Sequence, residues 1–298
     1  MKVGRFKILK NQKIHFITYG DKNYFIQRHH LKSVAKASGY FESSVAYSHK
    51  DLDNNFKKKF SFILKQKKGG GFWIWKHYFI MKKLSEIKEN DLLVWSDAGS
   101  SFNYYAKEKF FEYIQILNSS HKSHLRFRMK HIENQWTSKE LFNFFGIDPY
   151  SNLGTSGQFH ATHMIFKKNK DLKEYFETYK NLLDQDPLLI TDYYDKNQID
   201  GFIENRHDQS IFSLLSKKFG CVEVPIDETC TSEILENQTL YPFLSTRTKY
   251  TFLKKIKFLL LYFFYKSKPI YFNDKRFWYQ RPSLFERIVY KYKNLTKN

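Results

Sequence analysis

Asp97 stands one residue beyond the apolar run Leu92-Leu-Val-Trp95, with Ser96 before it and two small residues, Ala98 and Gly99, after it. A carboxylate at the end of such a run, with open space beside it, can hold a hard divalent cation that carries phosphates, because such ions take oxygen ligands. The plainer alternative is a strand ending in a polar turn, for which Asp-x-Gly is a common composition. A second cluster, His207-Asp208-Gln209, lies just ahead of a segment whose apolar residues recur at helical spacing up to Phe219. Asp208 is a ready N-cap for that helix. Capping requires neither His207 nor Gln209, and a helix N-terminus also favours anions, so the trio is a candidate site as a group. Ahead of both clusters in the chain lies Gly69-Gly-Gly-Phe-Trp-Ile-Trp-Lys76. No Gly-Lys-Ser/Thr follows the glycines, so they are not a nucleotide-triphosphate loop and read as a hinge or tight turn. Trp73 and Trp75 read as core or wall residues ahead of sugar platforms, and packing offers no reason for the lysine that follows them.

The elements that must position these residues follow from the hydrophobic pattern. An unbroken apolar run such as 92–95 predicts a strand buried on both faces, as in a parallel sheet covered by helices. Ligands of open α/β sheets sit beyond the carboxyl ends of the strands, where Asp97 falls. Further strands are expected over 13–20, 44–48 and 161–166. Helices are expected over 24–38 with Gly39 as its cap, over 51–65, from the tryptophans to about 88, over 105–117, over 138–145 between Ser138 and Gly146, over 171–183, and over 208–219 ahead of Gly220. This alternation predicts a Rossmann-like, mostly parallel sheet flanked by helices.

The chain has 298 residues, 42% of them hydrophobic and 19% aromatic, which is a globular composition with material for a real core. Its net charge of +20 is uneven: residues 245–298 hold fourteen Lys and Arg against Asp274 and Glu286 alone. Within that tail, 249–266 reads as a helix with lysines mostly at its start and an apolar remainder, the pattern of an interfacial helix on anionic lipid. A helix packed on the body with a solvated basic flank is the alternative. The division expected is a catalytic domain over 1–244 and a basic, aromatic, membrane-associating segment over 245–298. The longest strongly apolar run, 258–265, is far short of a membrane span. No signal peptide is read at the N-terminus. Two cysteines, Cys221 and Cys230, make neither a disulfide framework nor a zinc site.

Taken in order, the strand end Thr18-Tyr19-Gly20, the stretch Gly70-Gly71-Phe72-Trp73-Ile74-Trp75-Lys76, the strand Val94-Trp95-Ser96-Asp97-Ala98-Gly99 and the run Asn205-Arg206-His207-Asp208-Gln209-Ser210 resemble a family of bacterial and viral glycosyltransferase-like proteins with a nucleotide-binding GT-A fold. The resemblance covers roughly residues 13 to 220. A single acid, Asp97, stands where better-known GT-A enzymes have Asp-x-Asp, so the number of metal ligands stays open. The resemblance implies transfer of a sugar from a nucleotide-sugar donor to a hydroxyl of a glycan or lipid-linked acceptor, in the synthesis of a surface polysaccharide such as lipopolysaccharide or capsule. It implies Thr18, Tyr19 and Gly20 near the donor's base and ribose, Trp75 and Lys76 on the donor side with Lys76 toward the diphosphate, and Asp97 with His207 on a manganese or magnesium ion. His207, Asp208 and Gln209 would serve the reacting centre, and Gly157-Gln158 the acceptor side. Asp208, Glu204 and Asp192 are all eligible as a general base if the reaction inverts. Asp192, Asp195 and Asp200 otherwise read as a solvated loop. Such an enzyme is expected in the cytoplasm, peripheral at the inner face of the membrane, with no nucleic-acid partner. The competing classes are a basic nucleic-acid-binding protein, a metal-dependent phosphoesterase using Asp97, His207 and Asp208, and a non-catalytic sugar-binding protein.

Overall fold

The computed structural model describes residues 11–229 and 240–246, with the backbone at 270–271 and 279–280. The expected helix over 249–266 and Cys230 lie outside the described residues. Seven strands form the central sheet: β1 (Ile14–Tyr19), β2 (Ser43–Tyr47), β3 (Leu92–Ser96), β5 (His124–Ile132), β6 (Gly157–Phe159), β7 (His163–Lys167) and β8 (Val222–Pro225). The short β4 (Ser101–Phe102) pairs separately with β9 (Phe243–Leu244), and β10 (Ile270–Tyr271) with β11 (Tyr279–Gln280). β1 lies between β2 and β3, parallel to both. β7 then runs antiparallel between β3 and β5, β6 is antiparallel to β5, and β8 is parallel to β5. Five of the seven strands therefore point one way, and β6 and β7 oppose them. The chain is a mixed α/β protein with a mostly parallel sheet flanked by helices, as the hydrophobic pattern predicts.

The reason β1 and β3 are buried throughout is visible in where their side chains go. Ile17, Tyr19, Leu93 and Trp95 enter one core, and Ile14, Phe16, Leu92 and Val94 enter another on the opposite face. Successive strand residues point to opposite faces, so a sheet covered on both sides leaves no solvent-facing position. One face is covered by α5 (Trp75–Glu86), α9 (Lys170–Gln185) and α10 (Asp208–Phe219), together with the shorter α7 (Lys139–Phe145). The other is covered by α1 (Phe25–Ser38) and α6 (Lys107–Ser119). α1 ends where expected, at Gly39 in the left-handed conformation with φ 72°. The region expected as one helix over 51–65 is instead two short helices, α2 (Asn54–Lys59) and α3 (Ser61–Leu64), meeting at Phe60, which is buried in the core. α8 (Asn152–Thr155) is a single turn after α7.

β5 is absent from the expected elements, although Leu125, Phe127 and Met129 alternate with Arg126, Arg128 and Lys130. The alternation does not divide cleanly into core and solvent. Arg126 is fully buried, donating to the Tyr175 hydroxyl, the Ser216 hydroxyl and the carbonyls of Phe212 and His160. A buried guanidinium is tolerable only with such a set of acceptors, and those come from distant parts of the chain.

The glycine run forms α4 (Gly69–Phe72), helical in its hydrogen bonds but left-handed: φ is positive at every residue from Gly69 to Trp73. A Cβ on Gly69 would fall 2.3 Å from the Trp73 ring, and one on Gly71 2.9 Å from the Leu64 Cα, so both positions need glycine for space as well as for φ. Phe72 and Trp73 adopt the same region without that freedom, a strain of about 1–3 kcal/mol each that the surrounding packing must offset.

Candidate active site

A cleft of about 830 Å³ opens at the carboxyl ends of β1 and β3. Its wall includes Tyr19, Gly20 and Asp21 after β1, Lys67 to Gly70 with Trp73, Trp75 and Lys76, Asp97 to Ser100 after β3, Ala161 and Thr162 before β7, and Glu204 with Arg206 to Gln209 ahead of α10. The four sequence segments thus converge on one space, within the size range of small-molecule sites.

Lys76 is the centre of the charged part. It projects from the first turn of α5, is 1% exposed, and places Nζ 2.7 Å from Asp208 Oδ2 and 3.1 Å from Asp97 Oδ1 while donating to the Ala161 carbonyl at 3.0 Å. Burial disfavours its charged form, but Asp208 and Asp97 outweigh burial and the lysine pKa is raised. The Asp208 carboxyl, also buried, is pushed up to about 6 by desolvation, with Lys76 pulling down and Asp97 pushing up. Asp97 is the exposed end of the trio: its side chain is 29% exposed, and Oδ1 also accepts from the Trp95 indole at 2.9 Å. Its backbone continues the sheet toward Thr162 and closes a turn with Ser100.

His207 caps the approach to α10 from a strained backbone, φ 58° and ψ −123°. Its ring stacks on Phe72 and leans on Trp73, with centroids 5.1 and 5.4 Å away, and Nε2 lies 2.8 Å from Asp192 Oδ1. Burial lowers the imidazole pKa against the pull of Asp192, so a neutral ring donates its Nε2 proton to that carboxylate. Burial would raise Asp192, yet Lys68 at 2.9 Å and His207 hold it below its ordinary value. Asp192 is exposed, as expected of a loop acid, and also anchors His207 and Lys68. Gln209 donates to the Gln158 side chain at 2.7 Å, which ties the reacting-centre candidate to the acceptor-side candidate.

The other expected site residues divide. Tyr19 lines the cleft, but its ring is stacked between Trp75 at 3.8 Å and Phe79 at 5.2 Å and is 5% exposed. Trp75 is the wall residue expected, its indole donating to the Gly69 carbonyl at 3.0 Å and thereby bracing the left-handed turn. Gly20 is needed because the chain enters α1 tightly: a Cβ there would lie 2.8 Å from Tyr24 Cβ and 3.2 Å from Arg28 Cβ. Thr18 is fully buried in the sheet, paired in register with Ala46, and is not part of the cleft wall. Asp195 and Asp200 are exposed. Lys67, Lys68 and Asp21 also belong to the wall, with no role expected for them from the sequence. The basic run Lys65-Gln-Lys-Lys68 leading into the glycines was the available signal.

These residues do not fit a bound divalent cation as they stand. Among the described residues no group of three or more His, Cys, Asp or Glu side chains is placed to hold a metal. The two acids that converge, Asp97 and Asp208, converge on the Lys76 ammonium, and His207 is engaged by Asp192.

No family model matches the sequence, and no curated protein matches it. Glycosyltransferases are among the solved structures similar to it. One involved in the glycosylation of the major capsid of PBCV-1 aligns over 83% of this chain and 99% of its own, at 10% identity and a TM-score of 0.49. Mouse xyloside xylosyltransferase 1 aligns over 73% of this chain and 87% of its own, at 10% identity and a TM-score of 0.42. The galactosyltransferase LgtC aligns over 72% of this chain and 74% of its own, at 13% identity and a TM-score of 0.40. Likeness at this level concerns the path of the chain and not its substrates.

Proposed function

We propose that this chain is a GT-A-type glycosyltransferase that moves a sugar from a nucleotide-sugar donor to a hydroxyl of a glycan or lipid-linked acceptor. The observation that carries the reading is the convergence of four separate segments on one cleft at the sheet's carboxyl edge, with a buried lysine locked between two acids. The resemblance in the ordered motifs supports it independently of geometry.

In this reading the donor's base and ribose lie toward Tyr19, Gly20 and Asp21, and its diphosphate lies toward Lys76, Lys67 and Lys68. As the bond from the anomeric carbon to the diphosphate oxygen breaks, negative charge gathers on the leaving group. Fixed cations in a partly closed cleft stabilise that charge more than mobile ones in water. The acceptor oxygen forms the new bond to the anomeric carbon. In an inverting transfer Asp208 takes the acceptor proton, because a carboxyl at about 6 is ionised at neutral pH yet basic enough to accept one. His207 and Gln209 set where Asp208 begins its helix and what faces it.

We place the acceptor in surface polysaccharide synthesis at the cytoplasmic face of the membrane, with residues 245–298 meeting anionic lipid. The direct test of the transferase reading is a thermal-shift screen of nucleoside diphosphates and nucleotide sugars, since a ligand that binds only the native state raises its stability. One base is expected to stabilise the chain, and slow release of that nucleoside diphosphate from its sugar donor should follow. A folded protein indifferent to every nucleotide would reject the reading. For the tail, a chain ending after Thr246 should stay folded and lose binding to phosphatidylserine-containing vesicles; undiminished binding would remove the lipid role.

A further inference from the structure

The position between the two convergent carboxylates is already filled by a cation. Lys76 Nζ has three oxygens around it, Asp208 Oδ2 at 2.7 Å, Ala161 O at 3.0 Å and Asp97 Oδ1 at 3.1 Å. That is an oxygen cage of two acids and a carbonyl, the kind of donor set a hard metal ion takes. The lysine cannot easily leave it. Its stem comes from the rigid start of α5, its residue is 1% exposed, and the ammonium sits 5.5 Å from the centre of the Trp95 ring. A divalent ion on the same oxygens would lie at about 2.0–2.6 Å from each and would meet the ammonium at contact distance, where like charges repel. The one imidazole of the cleft wall, His207, has its Nε2 committed to Asp192 and its ring held by Phe72 and Trp73. Neither a free carboxylate pair nor a free imidazole is therefore offered to a metal here.

We propose that Lys76 takes the place of a divalent cation in this cleft: its ammonium fixes Asp97 and Asp208 and supplies the resident positive charge, so the chain binds its nucleotide without metal. What that charge acts on rests on the transferase reading; where it stands does not. A lysine in this role offsets and orients its two acids at the phosphate side of the cleft in the absence of any ion. Removing the ammonium while keeping the acids should convert the same oxygens into a metal site, an effect that a merely structural lysine would not produce.

The experiment titrates the full chain with Mn2+ alone and follows free Mn2+ by electron paramagnetic resonance. The wild-type chain is expected to take up no stoichiometric Mn2+, and Lys76→Ala to take up one equivalent, lost again in the Lys76→Ala/Asp97→Asn double variant. One equivalent bound by the wild-type chain and lost on Asp97→Asn would overturn the proposal, and that comparison needs no lysine variant. A folded Lys76→Ala chain that gains no Mn2+ would overturn it as well. Should Lys76→Ala fail to fold, Lys76→Met keeps the apolar stem and the same expectation. A parallel arm measures binding of the nucleoside diphosphates by calorimetry in EDTA and in Mn2+. Equal affinity in the two is expected, and binding only with Mn2+ would overturn the lysine's role. Absence of binding in both would reject the transferase reading, while the Mn2+ titration still decides what stands between the acids.

Discussion

Lys76 and Lys217 are both drawn into this fold beside acids, and they differ in what surrounds them. Lys217 of α10 and Glu133, just after β5, meet at 2.9 Å with side chains 2% and 0% exposed. Glu133 also accepts from Thr137, Gln158 and Ser213, and Lys217 also donates to the carbonyls of Leu153 and Ser156. The pair itself is buried, and the Lys217 pKa is lowered because burial outweighs the pull of Glu133. Lys76 faces two acids, its pKa is raised, and both of those acids line the cleft, Asp97 being the more exposed. The closed network behind the sheet holds α10 against β6; the open one at the sheet edge offers charge to a ligand. Burial of an ion pair does not by itself mark a site. The mark is a network whose last member faces solvent-accessible space.

That contrast can be broken in a definite order. The largest effect is expected from Asp208→Asn, which removes the proton acceptor and should lower turnover about 10²–10⁴-fold. Lys76 keeps Asp97 and the Ala161 carbonyl, so this variant should lose less stability than the next one; a larger loss of stability than of turnover would erase the distinction between the two networks. Glu133→Ala strands Lys217 and three hydrogen-bonding neighbours without their acceptor, for which about 3–5 kcal/mol of destabilisation is expected in urea unfolding. Its turnover per folded molecule should stay near wild type.

A third expectation concerns pH. With the Asp208 carboxyl at about 6, kcat/KM should fall as pH drops through about 6, and the limb should move to lower pH in Asp97→Asn and to higher pH in Lys76→Met. A limb unmoved by either change would assign it to another group. The smallest effect is on stability. Burial lowers His77 to about 4 and His163 to about 3, and holds His124 well below its ordinary value. The unfolded chain takes up protons near 6.5 that the native chain does not, so these three lose stability as pH falls from 6.5 toward 4. Asp208 acts with the opposite sign, since its native carboxyl binds a proton more readily than the unfolded one. His15, His29 and His207 are lowered in the same direction, so the histidines outweigh the one aspartate and give a net fall, to be read as a lower urea midpoint at pH 5.5 than at pH 7.5.

The sequence by itself determined the sheet's central strands and most of the helices, because those depend on local periodicity, whereas the four segments that meet at the cleft were marked by the resemblance of their ordered motifs. Leu92 to Trp95 could only be a strand buried on both faces, and Gly39 and Gly146 end helices for reasons carried in one residue. Residues 124–132 were different. Their alternation is a strand signal, but a buried Arg126 is acceptable only beside Tyr175, Phe212, Ser216 and His160, and no local pattern displays partners that far away. The site divides the same way. Lys76 was legible as a residue with no packing reason to be there, while Asp97 could equally have closed a polar turn and Asp208 capped a helix. Only the tertiary structure decided that the lysine stands between the acids, that Asp192 and not Asp97 holds His207, and that Thr18 is turned into the sheet. The physical reason is range: strand and helix periods repeat within a few residues, whereas a charge is settled by whatever the fold brings within about 3–4 Å of it.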